Sequence, residues 1–355
     1  MPKYHRKQEY LGGVLPDPEE NKGKNWLFGG KDRPILREDG NYTEDLPNDE
    51  KQATSYFDPY SCVSESAESD VSAILFETMM KKDSSIKLVL ETLGCLDENG
   101  KVNFSGRFPA VGSGTIPGRG NSQYAVFEFI RKNGLVGEKH WPTRQDMTEE
   151  EYFAPIPQSV KDLGKKFLQY FTFEYEDVGN SNAEMKEALK RSPLCVVIGG
   201  VYLGVKAGAE LYRPAFIPIQ YNHQVVLYNQ ENDVSDFNQT IPVIHDIFDT
   251  YEPFRKRFIG DYSFKYVKAI YITKKKIKNM KYKISGKPAI FLLDPVGKQL
   301  VPYGSGKVYK TIEGTVDYQD ITEVANMEEL LKIAPLAEWM ITETAWDKET
   351  FILNS

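Results

Sequence analysis

The chain has 355 residues, with 51 acidic and 44 basic side chains, a net charge of -7, three cysteines and four histidines. The charge argues against a general nucleic-acid binder, three cysteines cannot build a disulfide framework, and no CxxC pair or histidine cluster marks a zinc site. No apolar run approaches the ~18 residues that span a membrane, and MPKYHRKQEYLGG lacks the apolar core of a signal peptide, so a soluble protein without metal or cofactor is expected, cytoplasmic or carried in a particle.

Residues 1–49 are rich in Gly, Pro, Asp, Asn and Lys, with isolated anchors such as Trp26 and Phe28, and read as an extended arm. They lack the amphipathic periodicity of an inhibitory helical prosegment. The turn-rich stretch SYFDPYS then delivers Cys62 to the start of a helix in which Val63, Ala67, Val71, Ile74, Leu75 and Met79 are spaced to share one face. A second helix is expected over Ile86 to Leu93. The loop FSGRFPAVGSGTIPGRGNS leads into a third helix, Gln123 to Lys132, which NGL stops, and a fourth covers Val160 to Tyr170.

From there the character changes. PLCVVIGGVYLGV, NHQVVLYNQ, IPVIHDIFDTY and YVKAIYITK read as four strands, and a helical half followed by a strand-rich half predicts an α+β fold. The stretch KKKIKNMKYK, Lys274 to Lys283, reads as a basic, solvated linker. Beyond it, hairpin punctuation at DPVGK and a helical pattern from Met327 to Ile333 indicate a small α/β module that could hold an assembly partner. GSGK in that module lacks the glycine spacing and the Ser/Thr of a phosphate-binding loop. The expected domains are the arm (1–49), a central domain (50–273) and the linker with its module (274–355).

Three readings are open for Cys62: a small buried hydrophobe, half of a disulfide, or a nucleophile. A helix N-terminus stabilises a thiolate through its free N–H groups and partial positive charge, and a nearby imidazole completes a nucleophile–base pair. His223 opens an apolar strand and is the preferred base. His245 competes but falls among apolar residues in mid-strand, while His5 and His140 read as loop or surface residues. Asp249, near the end of the next strand, could accept the other ring N–H of His223. The Cys62 backbone N–H and the Gln52 amide are candidate oxyanion donors. Cys95 and Cys195 read as structural thiols.

The order of these parts resembles the papain-like cysteine peptidase family. Gln52 stands before YSCVSES. GSGTIPGRGNSQYAVFEFIRKNGLVGEKHWPT is similar to the family's glycine-rich loop, following helix and turn. LKRSPLCVVIGG resembles the strand lining the cleft, YNHQVVLY the histidine strand, and IFDTYEP stands where an Asn-bearing strand is expected. The opening LGGVLPDPEENKGKNWLFGG is similar to the arm of bacterial and phage members.

The resemblance spans about Asp17 to Ile272. It implies two lobes, one helical and one an antiparallel half-barrel, with a cleft that binds an extended peptide. It also implies amide hydrolysis through a Cys62–His223–Asp249 triad, with Gly112, Gly114, Gly118, Gly120 and Asn222 at the substrate. The chain departs from the pattern in a longer Gln-to-Cys interval, in Val63 after the cysteine, in Glu65 within the first helical turn, and in Asp249 for the usual Asn. A structural or adhesion protein of a phage particle that keeps the fold without turnover is the second hypothesis, and transglutaminase-type acyl transfer the third.

Overall fold

The computed structural model describes residues 13–25, 33–47, 52, 54–199, 211–212, 221–232, 240–246, 254–258, 265–275, 281–285, 290–294, 299–303 and 321–333. The chain divides into two compact units, Met1–Lys275 and Lys276–Ser355. In the first, the elements run β1 (Gly13–Val14), α1 (Cys62–Lys81), α2 (Ser84–Leu93), α3 (Arg107–Gly112), β2 (Gly120–Asn121), α4 (Gln123–Asn133), α5 (Glu149–Tyr152) and α6 (Gln158–Tyr170). They continue as β3 (Phe171–Val178), α7 (Asn182–Leu189), β4 (Leu194–Gly199), β5 (Leu211–Tyr212), β6 (Tyr221–Asn232), β7 (Thr240–Asp246), β8 (Phe254–Phe258) and β9 (Lys265–Lys274).

Seven strands form one sheet in the order β3-β9-β4-β6-β7-β8-β5, antiparallel except where β5 meets β8. Helices gather in the first part of the unit and the sheet in the second, which makes the fold α+β.

Helix α1 begins at Cys62, where the sequence puts it, but it is not amphipathic as expected. Every residue from Cys62 to Leu75 is buried, polar ones included. The helix is enclosed by α2, α3 and α4 on one side and by β4, β6 and β9 on the other. The six-residue apolar pattern marks only part of a surface that is covered all round, so serines and acids share the interior. Those polar groups find local partners: the Ser66 hydroxyl donates to the Cys62 carbonyl at 2.7 Å, and the Ser72 hydroxyl to Glu68 Oε2 at 3.3 Å.

Elsewhere the local signals act as expected. Ser122 caps α4, accepting from the Ala125 N–H, and Gly134 ends it at φ 79°. A side chain at Gly134 would meet the Gly164 carbonyl of α6, so the position needs glycine for space as well as for backbone freedom. The core between α4, α6 and β3 is aromatic. Phe104 packs edge-on against Phe167, which stacks tilted on Phe171, and Phe127 meets Phe173 and Tyr175 edge-on, all essentially unexposed.

Several elements escape the sequence patterns, α3, β3, α5, α7 and β8 among them. Helix α3 lies inside the Gly/Pro loop, and β3 with α7 occupies a stretch left unassigned. A Ser181–Glu184 capping box starts α7, a signal readable in SNAE.

The second unit, taken by itself, is a four-stranded sheet with the order β12-β11-β10-β13. Its strands are β10 (Lys281–Ile284), β11 (Ile290–Asp294), β12 (Gln299–Tyr303) and β13 (Ile321–Val324), with α8 (Met327–Ile333) packed on β10 and β13. Strand β10 takes the end of the basic stretch read as linker. Alternating Lys281-Tyr282-Lys283-Ile284 satisfies a period of two, which charge composition alone conceals.

Asp70 is a fully buried acid of α1. It is 0% exposed, and its contacts are the Ser192 hydroxyl at 3.4 Å and the Cys195 thiol at 3.4 Å. Burial drives its pKa well above 3.8, while the two weak donors pull the other way. A carboxyl raised in the folded state stabilises less as pH climbs above its unfolded value, by up to about 1.4 kcal/mol per pH unit. Asp70→Asn, which cannot ionise, should therefore gain stability relative to the unaltered chain between pH 4 and pH 8. Thermal or urea unfolding across that range measures the gap, and a constant gap contradicts the upward shift of Asp70.

Candidate active site

Cys62 reaches its position through a tethered turn. Asp58 Oδ1 accepts both the Gln52 side-chain amide at 2.9 Å and the Tyr60 backbone N–H at 2.8 Å. Tyr60 stands at φ 60°, a left-handed conformation that costs a residue with a Cβ about 1–2 kcal/mol. Ser61 is the N-cap residue, but its hydroxyl donates to Glu65 Oε1 at 2.9 Å instead of closing the first turn. Cys62 is thus the first helical residue, where the N–H has no partner within the helix and the helix dipole favours negative charge. It is 1% exposed. Glu65, 5% exposed, fills the space over Gly106, where a Cβ would fall 1.8 Å from its carboxylate.

The sheet lies along α1 in a fixed register. Just past the helix C-terminus, Lys274 of β9 meets Asp83, Nζ to Oδ2, at 2.8 Å. At mid-helix, Ser192 reaches Asp70, and one turn nearer the helix start the Cys195 thiol approaches the Ser66 carbonyl at 3.7 Å. Strand β4 therefore advances toward the N-terminus of α1. Cys62 is ~6 Å further back along the helix axis, and three strand residues cover ~10 Å in that direction. The third residue is Ile198, and its partner across the β4–β6 ladder is His223. The backbone of His223 and the first turn of α1 therefore lie at the same end of the sheet.

The other candidates are distributed as follows. Asp249 and His5 lie outside the described residues. The backbone of His245 pairs with Val226 and Arg255, three residues along β6 from His223 and away from the end near Cys62. Gln52 is 0% exposed and holds Asp58. Asn222 falls at the register shift of the β4–β6 ladder. The space over Gly112 is occupied by the Phe129 ring, whereas nothing lies within 4 Å of a Cβ placed at Gly114 or Gly118. Gly120 is in β2 and pairs with Gly13 of the arm.

Cys95 and Cys195 are buried like Cys62, and burial pushes Cys95 up to about 12. The His140 ring meets the Leu93 carbonyl at 3.0 Å, a structural contact. Asp58 and Tyr60 are the residues sequence reasoning passed over. An Asp two residues before a left-handed Tyr marks an Asx-type turn, a signal present in FDPYSC. Among the described residues no group of three or more His, Cys, Asp or Glu could hold a metal ion, and no helix is long and apolar enough to cross a membrane.

No family model and no curated protein sequence matches the chain. Solved structures similar to it include the cysteine protease and lectin-like domains of Cwp84, a surface layer associated protein of Clostridium difficile, at 12% identity and a TM-score of 0.49. That match covers 81% of this chain and 62% of the other, so the chain spans less than two thirds of that structure. Xylellain, a cysteine protease from Xylella fastidiosa, matches at 14% identity and a TM-score of 0.49 over 75% of this chain and 97% of its own. The bromelain protease from Ananas comosus matches at 14% identity and a TM-score of 0.42, over 66% and 98%.

Asp58→Ala removes the common acceptor of two donors in a buried turn and should cost about 2–6 kcal/mol, the sum of two unsatisfied groups. Tyr60→Gly relieves the left-handed strain while keeping the N–H, and should leave stability unchanged or raised. Urea unfolding of both variants checks the pair, and a neutral Asp58→Ala would show that the tether does not hold the turn.

Proposed function

We propose that the first unit is a thiol peptidase acting on extended peptides. Cys62 attacks the scissile carbonyl carbon, forming a C–S bond. His223 takes the thiol proton and returns it to the leaving amine as the C–N bond breaks. Water, deprotonated by the same imidazole, then releases the acid and restores the thiol. Asp249 orients the ring of His223. The Cys62 N–H, at the start of a helix, is the main oxyanion donor, and Gln52 contributes the amide hydrogen not used on Asp58. Gly114, Gly118 and Asn222 border the substrate.

The observation that carries this assignment is the β4–β6 register, which supports His223 over His245 as the base for a thiol on the first turn of α1. The protein then needs no metal or nucleotide for its chemistry.

A second reading has its own support. Cys62 is 1% exposed and Glu65 sets a carboxylate in the same helical turn, both unfavourable to a thiolate nucleophile. On that reading the chain keeps the architecture as a structural or adhesion component and turns nothing over.

A peptide carrying a thiol-directed electrophile separates the two. Labelling should fall on Cys62, vanish in Cys62→Ala, and slow by at least about 10³-fold in His223→Ala, with hydrolysis of a denatured protein substrate lost in parallel. Labelling that is indifferent to His223, with no hydrolysis, assigns the structural role.

A further inference from the structure

Among the described residues two that are not glycine hold a left-handed backbone, Tyr60 in front of Cys62 and Tyr266 in β9. Tyr60 belongs to the turn that delivers the thiol. Tyr266 has no part in the assignment above. Its φ of 50° burdens any residue with a Cβ, and glycine would relieve it.

Two further local rules fail at the same residue. On the β4–β9 ladder, Cys195 pairs with Lys268 and Val197 with Lys265, so two steps on β4 face three on β9. The extra residue makes a bulge, a device that re-aims a side chain. Val267 turns inward at 2% exposure, and Tyr266 stands outside at 46%. Strand β3 pairs with β9 only as far as Val267, so the Tyr266 carbonyl lies beyond that ladder. The Gln123 side-chain amide takes it at 3.1 Å. Gln123 is 2% exposed, and its own Oε1 is a buried acceptor without a hydrogen-bond partner among the described residues. Leaving such an acceptor unmatched is unfavourable.

The fold therefore sustains a bulge, a strained φ and an unmatched oxygen around one exposed ring. Violations gathered at one side chain point to function rather than to packing.

The place is the junction of the two halves. Gln123 opens α4 directly after the cap residue Ser122, so its bond to Tyr266 crosses from the helical half to the sheet. Val197 of β4 pairs with Lys265 on one side and with Gln224 on the other. Lys265 and Gln224 are thus two strand spacings apart, about 10 Å, with Tyr266 and His223 next to them in sequence. On the glycine loop, Ile116 is exposed at 43% and bridges to Gly120, and open space surrounds Gly118 between them.

We propose that Tyr266 is a specificity-determining residue of the first unit, its ring displayed by the bulge to grip a large apolar side chain of a bound extended peptide. The peptide itself rests on the peptidase reading, to which Tyr266 adds a recognition element on the sheet half. Contact between the ring and such a side chain removes apolar surface from water on both. Ile116 supplies further exposed apolar surface on the glycine loop.

The full chain carrying Cys62→Ala, which binds without turnover, is panned against a displayed library of random linear peptides. The enriched peptides should share a large apolar side chain at one position. Tyr266→Gly should weaken them about tenfold or more, and Tyr266→Phe should stay within about threefold. Because glycine relieves the strained φ, the urea midpoint of Tyr266→Gly should equal or exceed that of the unaltered chain.

Peptides that bind Tyr266→Gly undiminished, or a library that enriches none, overturn the inference. A Tyr266→Gly chain that loses stability along with binding also overturns it, because the ring then serves the fold. If the peptides bind through Tyr266 but the chain with its native Cys62 does not cleave them, the inference stands and the peptidase assignment fails. Cleavage that is indifferent to Tyr266→Gly gives the reverse.

Discussion

The site depends on how α1 is locked against the sheet. A helix buried on every side has no solvent face to tolerate a slip, and one-residue rotation would drive its serines and acids against different partners. Lys274 at Asp83, Ser192 at Asp70 and Cys195 at the Ser66 carbonyl fix three points along it. Because β4 runs toward the start of the helix and β6 pairs with β4, the lock propagates through the β4–β6 ladder to the backbone of His223. The carboxyl of Asp70, costly to bury, sits at the middle point of that lock and meets hydroxyl and thiol groups contributed by β4 and its approach.

The other half of the site depends on backbone geometry in front of the helix. Asp58 gathers Gln52 and Tyr60 on a single oxygen and turns the chain sharply enough for Cys62 to emerge as the first helical residue. Left-handed tyrosine at this turn is strain that the tether must sustain. Glu65, in the first turn of α1, accepts from the Ser61 hydroxyl. The arm pairs with the strand edge of the glycine loop, Gly13 with Gly120 and Val14 with Asn121.

Much of this was legible in the residues. Gly134 after Lys132-Asn133, the β-branched run at Cys195 and the turn residues before Cys62 each carry a local physical signal, and the corresponding elements start or stop within a few residues of expectation. The all-round burial of α1 was not legible, because a period of 3.6 records only the apolar positions and α1 also buries Ser64, Glu68 and Asp70. Helix α3 was hidden by Gly106 and Pro109, which signal loop although Pro109 sits in the helix's first turn, where proline is tolerated. The pairing of the arm with Gly120 has no sequence signature, since Gly13 and Gly120, far apart in the chain, meet only through tertiary packing. Of the three residues proposed as a triad, the Cys62 helix start and the strand placement of His223 were readable from pattern, whereas Asp249 falls outside the described residues.

The central claim is that Cys62 and His223, distant in sequence, share one end of the α1–β6 contact. The most direct measurement is a cross-link between them with a short bis-electrophile such as 1,3-dibromoacetone, which joins a thiol to an imidazole only when the two are a few bonds apart. Peptide mapping of the treated chain should recover the Cys62 and His223 peptides joined. Recovery of Cys62 joined to His245 or to no histidine at all would contradict the account.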